Sequence, residues 1–214
     1  MSVGRDLMIN IEELQQADVM SVSDKLRKNL RAMISVRFCK FAALCAIKLD
    51  HDFLKDEAVS YADLLVQSNS ESPHSRLVRG AIKWVLGRCE DAISDVEGAI
   101  SRATELGEDE LVKKGKNNFV YFVADWKLCA RQDRADWRIK ADEYVRELVE
   151  NGVRANETDT VGLHRIAFGT TVQEIEDGRT LIRLSRETRI DDVEVYTLYG
   201  LHEYAALNRL MKFA

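Results

Sequence analysis

The sequence predicts an all-α fold: an array of antiparallel helical hairpins closed by further helices at the carboxyl end. The 214 residues include one proline and 11 glycines, and so few helix breakers favour long helices over many short strands. Apolar residues recur at helical spacing along the chain, and no segment alternates as a strand does. Small and apolar residues also repeat at an offset of 34 residues, which is typical of helical-hairpin repeats.

The repeat is clearest between residues 46 and 104. Ala58 is followed 34 positions later by Ala92, and neighbouring positions repeat with them. The matched pairs are Ala46 and Gly80, Ala58 and Ala92, Ala62 and Val96, Leu65 and Ala99, and Ser70 and Thr104. Small residues at fixed places let paired helices approach closely, so the repeat predicts a stack of similar hairpins.

The first elements follow from capping residues and apolar stripes. Residues 1–20 are expected to be an amino-terminal extension; they contain five charged residues and lack the apolar core of a signal peptide. Ser21 or Ser23 can cap a long helix that runs to about Leu49. Asp50 and Asp52 are then expected to cap a second helix, which ends near Gln67.

The clearest helix start in the chain is Ser72-Pro73, a cap residue followed by proline at the first helical position. The helix that follows is expected to end at a tight turn at Gly87. The next helix carries the alanines of the repeat and is expected to stop before Gly107.

One more hairpin is expected beyond Gly107. It pairs a helix at Leu111–Ala130 with a helix that contains Ala141 and ends at Asn151-Gly152. Residues 153–159 then form a linker. A helix ending at Gly169 follows, then one that starts with the capping box Thr171-x-x-Glu174, and a final tyrosine-rich helix spans about Asp192–Lys212. We therefore divide a single helical-repeat domain, 1–214, into the extension 1–20, hairpins over 21–151, and carboxyl-terminal helices over 152–214.

Residues Arg79 to Thr104 resemble the tetratricopeptide repeat, with Gly80, Gly87, Ala92 and Ala99 at that family's small-residue and turn positions. The resemblance extends, in divergent form, over about residues 40–150. The preceding unit has Phe53 at the turn position. In a third unit, Asn117-Asn118 starts the first helix and Ala141 takes the place of Ala92.

The resemblance implies that the first helix of each hairpin lines a concave groove that binds another protein or peptide. The residues expected to face this groove are His74, Leu77, Ala81, Trp84, Asn117, Asn118 and Tyr121. Asparagine amides there offer a donor and an acceptor to a peptide backbone. For the two tryptophans, Trp84 and Trp126, the sequence favours a place in the core over the groove.

Few residues suggest catalysis or metal binding. The four histidines are far apart in sequence, and the four cysteines lack metal-binding spacing. No phosphate-binding glycine loop or catalytic motif is present. We therefore expect no cofactor, no metal and no enzymatic activity. Unpaired cysteines in apolar stretches are typical of a reducing compartment, so we expect a cytoplasmic protein.

The charge distribution argues against nucleic acid as a partner. The net charge is −5, and one basic stretch, from Lys25 to Lys40, is expected to be a solvated helix face. No run approaches the length of a membrane span. The sequence therefore favours a protein-interaction module or adaptor. The alternative is a structural or oligomerisation subunit that associates through the tyrosine-rich last helix.

Overall fold

The computed structural model describes residues 36–130, 133–152 and 157–188. Within these ranges the chain forms helices and no strands, which confirms the all-α prediction. The extension 1–20, the predicted helix start at Ser21 or Ser23, and the tyrosine-rich helix at Asp192–Lys212 lie outside the described residues. The expected oligomerisation through that last helix therefore stays a prediction.

Eight helices follow one another along the described ranges. They are α1 Val36–Leu49, α2 Asp52–Ser68, α3 Pro73–Val85, α4 Cys89–Leu106, α5 Asp109–Ala130, α6 Ala135–Glu150, α7 Thr158–Phe168 and α8 Val172–Thr188. Consecutive helices pack as four hairpins: α1 with α2, α3 with α4, α5 with α6, and α7 with α8. The first helices also contact one another in succession, α1 with α3, α3 with α5, and α5 with α7.

Local signals place several helix ends where the sequence predicts them. The Ser72 hydroxyl accepts a hydrogen bond from the Ser75 amide, and Pro73 is the first helical residue of α3. Gly87 and Gly107 both have positive φ, at 84° and 69°, as left-handed turn and C-cap residues require.

The predicted capping box at α8 is also confirmed. The Glu174 amide donates to the Thr171 hydroxyl over 3.2 Å, and the Thr171 amide donates to the Glu174 carboxylate over 3.1 Å. The two residues therefore satisfy each other's free amides at the start of the helix.

Two predicted helix starts are wrong. The residue that caps α2 is His51, whose side chain makes no capping hydrogen bond, and neither Asp50 nor Asp52 takes that place. Both aspartates instead bind the Lys55 ammonium, at 2.8 and 3.0 Å. The helix predicted over Leu111–Ala130 is observed as α5 and begins two residues earlier, at Asp109, where two acidic residues favour a helix start. The start that the third repeat unit predicts at Asn117 is wrong, because Asn117 lies inside this helix.

Small residues let the helices of a hairpin touch. Ala92 and Ala99 are buried, as the repeat predicts, at 0% and 1% exposure. A Cβ atom added at Gly80 would lie 3.1 Å from the Ala92 carbonyl oxygen and 3.2 Å from Val96. These contacts bring α3 and α4 closer together than a larger residue at position 80 would allow.

The last hairpin repeats this arrangement, although no repeat can be recognised there in the amino-acid sequence. A Cβ atom added at Gly162 would lie 2.7 Å from the Gly178 carbonyl oxygen, so the backbones of α7 and α8 are in contact. Gly162 and Gly178 are 16 positions apart, as are Gly80 and Val96.

Candidate partner-binding surface

Three of the seven residues predicted to face a groove belong to the core. Leu77, Ala81 and Trp84 are 2%, 8% and 1% exposed. The reason is the position of α3, which packs against α1 on one side and against α4 and α5 on the other. A partner cannot contact these three side chains without opening the helix packing, so the groove prediction is wrong for them. Trp84 instead takes the core position that the sequence favours for it.

Trp84 lies at the centre of the contact between α3 and α5. Its indole stacks on Phe122, with centroids 4.5 Å apart and an interplanar angle of 3°. Its Nε1–H donates to the Asp125 carboxylate over 2.7 Å, and Asp125 is itself buried. The Cys129 thiol donates to the other carboxylate oxygen over 3.3 Å. This buried polar contact explains how the indole nitrogen is accommodated within an apolar core.

The other four predicted residues, His74, Asn117, Asn118 and Tyr121, are all half-buried at the surface of α3 and α5. His74 lies near two lysines, Lys114 on α5 and Lys40 on α1. Burial, and then the positive charges of Lys114 and Lys40, lower the pKa of His74 below its usual value. Positive charges on α1 and α5 therefore act on this imidazole of α3.

One face of α5 carries most of this surface. Lys114, Asn117, Tyr121 and Leu128 are spaced by three, four and seven residues, which places them on the same side of the helix. The Asn117 side-chain oxygen is buried and has no hydrogen-bond partner among the described residues.

We call this region the first-helix surface. Its members project from α1, α3 and α5 and combine positive charge, side-chain amides and one phenol ring. They are Lys40, His74, Lys114, Asn117, Asn118 and Tyr121.

The sequence analysis does not identify Lys114, which belongs to this surface, or Leu128, which is its neighbour on α5. Lys114 is exposed, and Leu128 is 38% exposed. A usable signal exists, because Lys114 precedes Asn118 by one helical turn and Leu128 follows Tyr121 by two.

A second concave feature lies away from the first-helix surface. It is a cavity of about 200 Å³ between the start of α5, the end of α6 and the residue before α7. Its charged side chains have mixed signs and include a paired Lys116 and Glu147. It adjoins residues 153–156, which are not among those described, and we assign no function to it.

No chemical site other than these surfaces emerges from the described residues. Across them, no three histidine, cysteine or acidic side chains are grouped so that they could hold a metal ion. None of the four cysteines, all of which lie in the described ranges, forms a disulfide. None of the described helices is long and apolar enough to cross a membrane.

Comparison with known proteins adds no relative. No protein-family model, no curated protein and no solved structure matches this chain. Statements about its function therefore depend on its own residues.

Proposed function

We propose that this protein is an interaction module that binds another protein through the first-helix surface. In this proposal its hairpins form an array of the tetratricopeptide-repeat kind, and the binding surface is preformed by stacking of the first helices. The observation that carries the proposal is the contact between successive first helices, which brings α1, α3 and α5 side by side with Lys40, His74 and Lys114 at least partly exposed on them.

The order of helix contacts supports the array. Each first helix packs against its own partner and against the next first helix, and α2 and α4 also contact the hairpin that follows. Such nearest-neighbour packing is typical of solenoids, in which each repeat stabilises the next. The shared 16-residue spacing of the small residues in the second and fourth hairpins is further support.

The chemistry of the surface favours an extended segment that carries acidic side chains. Lys114 is exposed and offers positive charge on this surface. Asn118 is half-buried on α5 and offers a side-chain amide that can both donate to and accept from a peptide backbone. Tyr121 presents a half-buried ring that can cover an apolar side chain.

A peptide-display library tests this proposal against many candidate segments at once. Peptides enriched on the wild-type protein are titrated by calorimetry against Asn118→Ala and Lys114→Glu variants. We expect Asn118→Ala to weaken binding by about 1 kcal/mol or more, since a hydrogen bond is lost. Lys114→Glu should weaken the binding of acidic peptides further, because it reverses a positive charge that acts near His74.

The matched control is Arg146→Glu, which reverses an exposed basic charge on α6, away from this surface. It should leave the affinity unchanged. Melting curves must show that Asn118→Ala keeps its stability within about 0.5 kcal/mol, as expected for a surface substitution. Peptides that bind all three variants as tightly as the wild type would place the binding site elsewhere.

A further inference from the structure

The hairpin of α7 and α8 is held together by direct contact between its two helices. An added Cβ atom at Gly162 would lie 3.0 Å from Ile182, in addition to its contact with the Gly178 backbone. Near the turn, an added Cβ atom at Gly169 would lie 3.3 Å from Ile175. Close contacts at the middle and at the end of α7 leave no room for the two helices to slide, so we expect them to move together.

The attachment of this hairpin to the rest of the protein differs from that of the hairpins before it. Each earlier first helix packs on the second helix that precedes it, α3 on α2 and α5 on α4. Within the described ranges, α7 packs instead on the first helix α5, and its backbone hardly approaches α6. The helix α8 packs closely on α7 alone among the described helices. The hairpin is therefore attached to them mainly through one side of one helix.

The side of α6 that the repeat assigns to the following helix is correspondingly open. Where Ala141 takes the place of Ala92, as the repeat predicts, Val149 takes that of Ile100. Ile100 is 8% exposed, and an added Cβ atom at Gly115 of α5 would lie 2.5 Å from it. Val149 is 44% exposed, and the cavity of about 200 Å³ lies at this end of α6. The helix α7 therefore leaves unfilled, against α6, the place that α5 fills against α4.

The contact that remains contains buried polar atoms without hydrogen bonds. Thr160 and His164 are 0% and 8% exposed and lie one turn apart on α7, on the side opposite Gly162 and so away from α8. The Thr160 hydroxyl oxygen and the His164 Nε2 atom are buried and have no hydrogen-bond partner in the described part of the chain, although Asp142 of α6 approaches His164. A buried polar atom without a partner opposes burial, so we expect this interface to be weaker than the contact within the hairpin.

We propose that α7 and α8 form a detachable hairpin, which separates from α5 and α6 as one unit while the preceding hairpins stay folded. Proteins open locally in such cooperative units, and units with few stabilising contacts open most readily. Because α7 packs beside α5 in the row of first helices, its departure uncovers a further side of α5, the helix that carries most of the first-helix surface. This proposal does not depend on peptide binding at that surface.

Hydrogen exchange of the full chain under native conditions, followed by mass spectrometry of its peptides, tests this proposal. We expect the amides inside α7 and α8 to exchange about tenfold or more faster than those inside α3 and α4, with similar protection in α7 and α8. Protection of α7 and α8 equal to that of α3 and α4 would overturn the proposal, because the hairpin would then open only when the whole protein unfolds.

A single substitution tests the part assigned to the buried hydroxyl. Thr160→Val removes that hydroxyl and keeps the branched shape of the side chain, so it should strengthen the attachment of the hairpin. Exchange should slow about fivefold or more in α7 and equally in α8, which Thr160 does not face, while exchange in α3 and α4 stays the same. Slowing confined to α7 would contradict detachment as one unit, and no slowing in either helix would contradict the weak interface.

The matched control is Thr180→Val on α8. Thr180 is exposed, so the same change of side chain there should leave exchange in both helices as it is in the wild type. Equal slowing by the two substitutions would show that helix propensity, and not attachment to α5, sets the exchange rate, and it would overturn the proposal. Should Thr160→Val fail to fold, the comparison of α7 and α8 with α3 and α4 in the wild type decides the question.

Discussion

Replacing Gly178 by alanine should destabilise the protein even though alanine is the better helix former. Gly178 lies within α8, where its backbone contacts Gly162 of α7. An added Cβ atom would lie 2.6 Å from the Gly162 carbonyl oxygen and 3.0 Å from the Cβ atom of Arg165. The first of these atoms belongs to the backbone, so a side-chain rotation cannot relieve the contact, and the two helices must separate.

The expected size follows from two opposing effects. Glycine to alanine in a helix interior gains about 1 kcal/mol of helix propensity. Overpacking of a close contact costs about 1–3 kcal/mol. The contact is 0.8 Å shorter than the 3.4 Å at which ordinary van der Waals contacts begin, so we take the upper part of that range. The net loss in the free energy of unfolding is then about 1–2 kcal/mol.

Gly98→Ala provides the matched control. Gly98 lies in the interior of α4, and an added Cβ atom would meet only the end of the flexible Arg76 side chain, at 3.2 Å. The free energy of unfolding of this variant should rise by about 0.5–1 kcal/mol, because alanine has the higher helix propensity and its Cβ atom meets no backbone atom here. Urea unfolding followed by circular dichroism compares the two proteins, with the m-value as a check on cooperativity. If Gly178→Ala were as stabilising as Gly98→Ala, the close backbone contact between α7 and α8 would be refuted.

Two further predictions concern buried polar groups. Trp84→Phe removes the N–H that donates to Asp125. It should lower the free energy of unfolding by about 1–3 kcal/mol, because a buried acceptor loses its donor. An unchanged urea midpoint would contradict the role of that hydrogen bond. The free energy of unfolding should also fall as the pH drops below about 6.5, which is the pKa of histidine in the unfolded chain. Burial lowers the pKa of His164 in the folded state, although Asp142 is nearby. The unfolded chain therefore binds the proton more readily than the folded one. His164→Gln should flatten this pH dependence of the urea midpoint, whereas His51→Gln, at an exposed site, should not.

The His164 environment explains why the pH effect has this direction. Its Nε2 lies 2.9 Å from an Asp142 oxygen, but the approach does not have hydrogen-bond geometry, so Asp142 stabilises the charged ring less than the distance suggests. Arg138 and Arg165 oppose protonation, and the ring packs near Phe168 at 5.0 Å. Desolvation therefore outweighs attraction to the carboxylate.

Much of the helix pattern was determined by the sequence alone. The starts at Ser72 and Thr171 and the ends at Gly87 and Gly107 depend on interactions within a few residues, such as a hydroxyl that accepts from an amide three positions later. These signals act locally, so the order of residues is enough to predict them. The burial of the repeated alanines was also predictable, because a small residue kept at one offset reflects a recurring helix contact.

Only the tertiary structure decided which residues are surface and which are core. Trp84 and Asp125 are 41 positions apart, and no periodicity indicates that they would pair. The charge of Lys114 acts on His74 because α5 packs on α3, a contact between helices that spacing along the chain does not show. The physical reason is that helical spacing tells which residues share a face, whereas burial depends on which neighbouring helix covers that face.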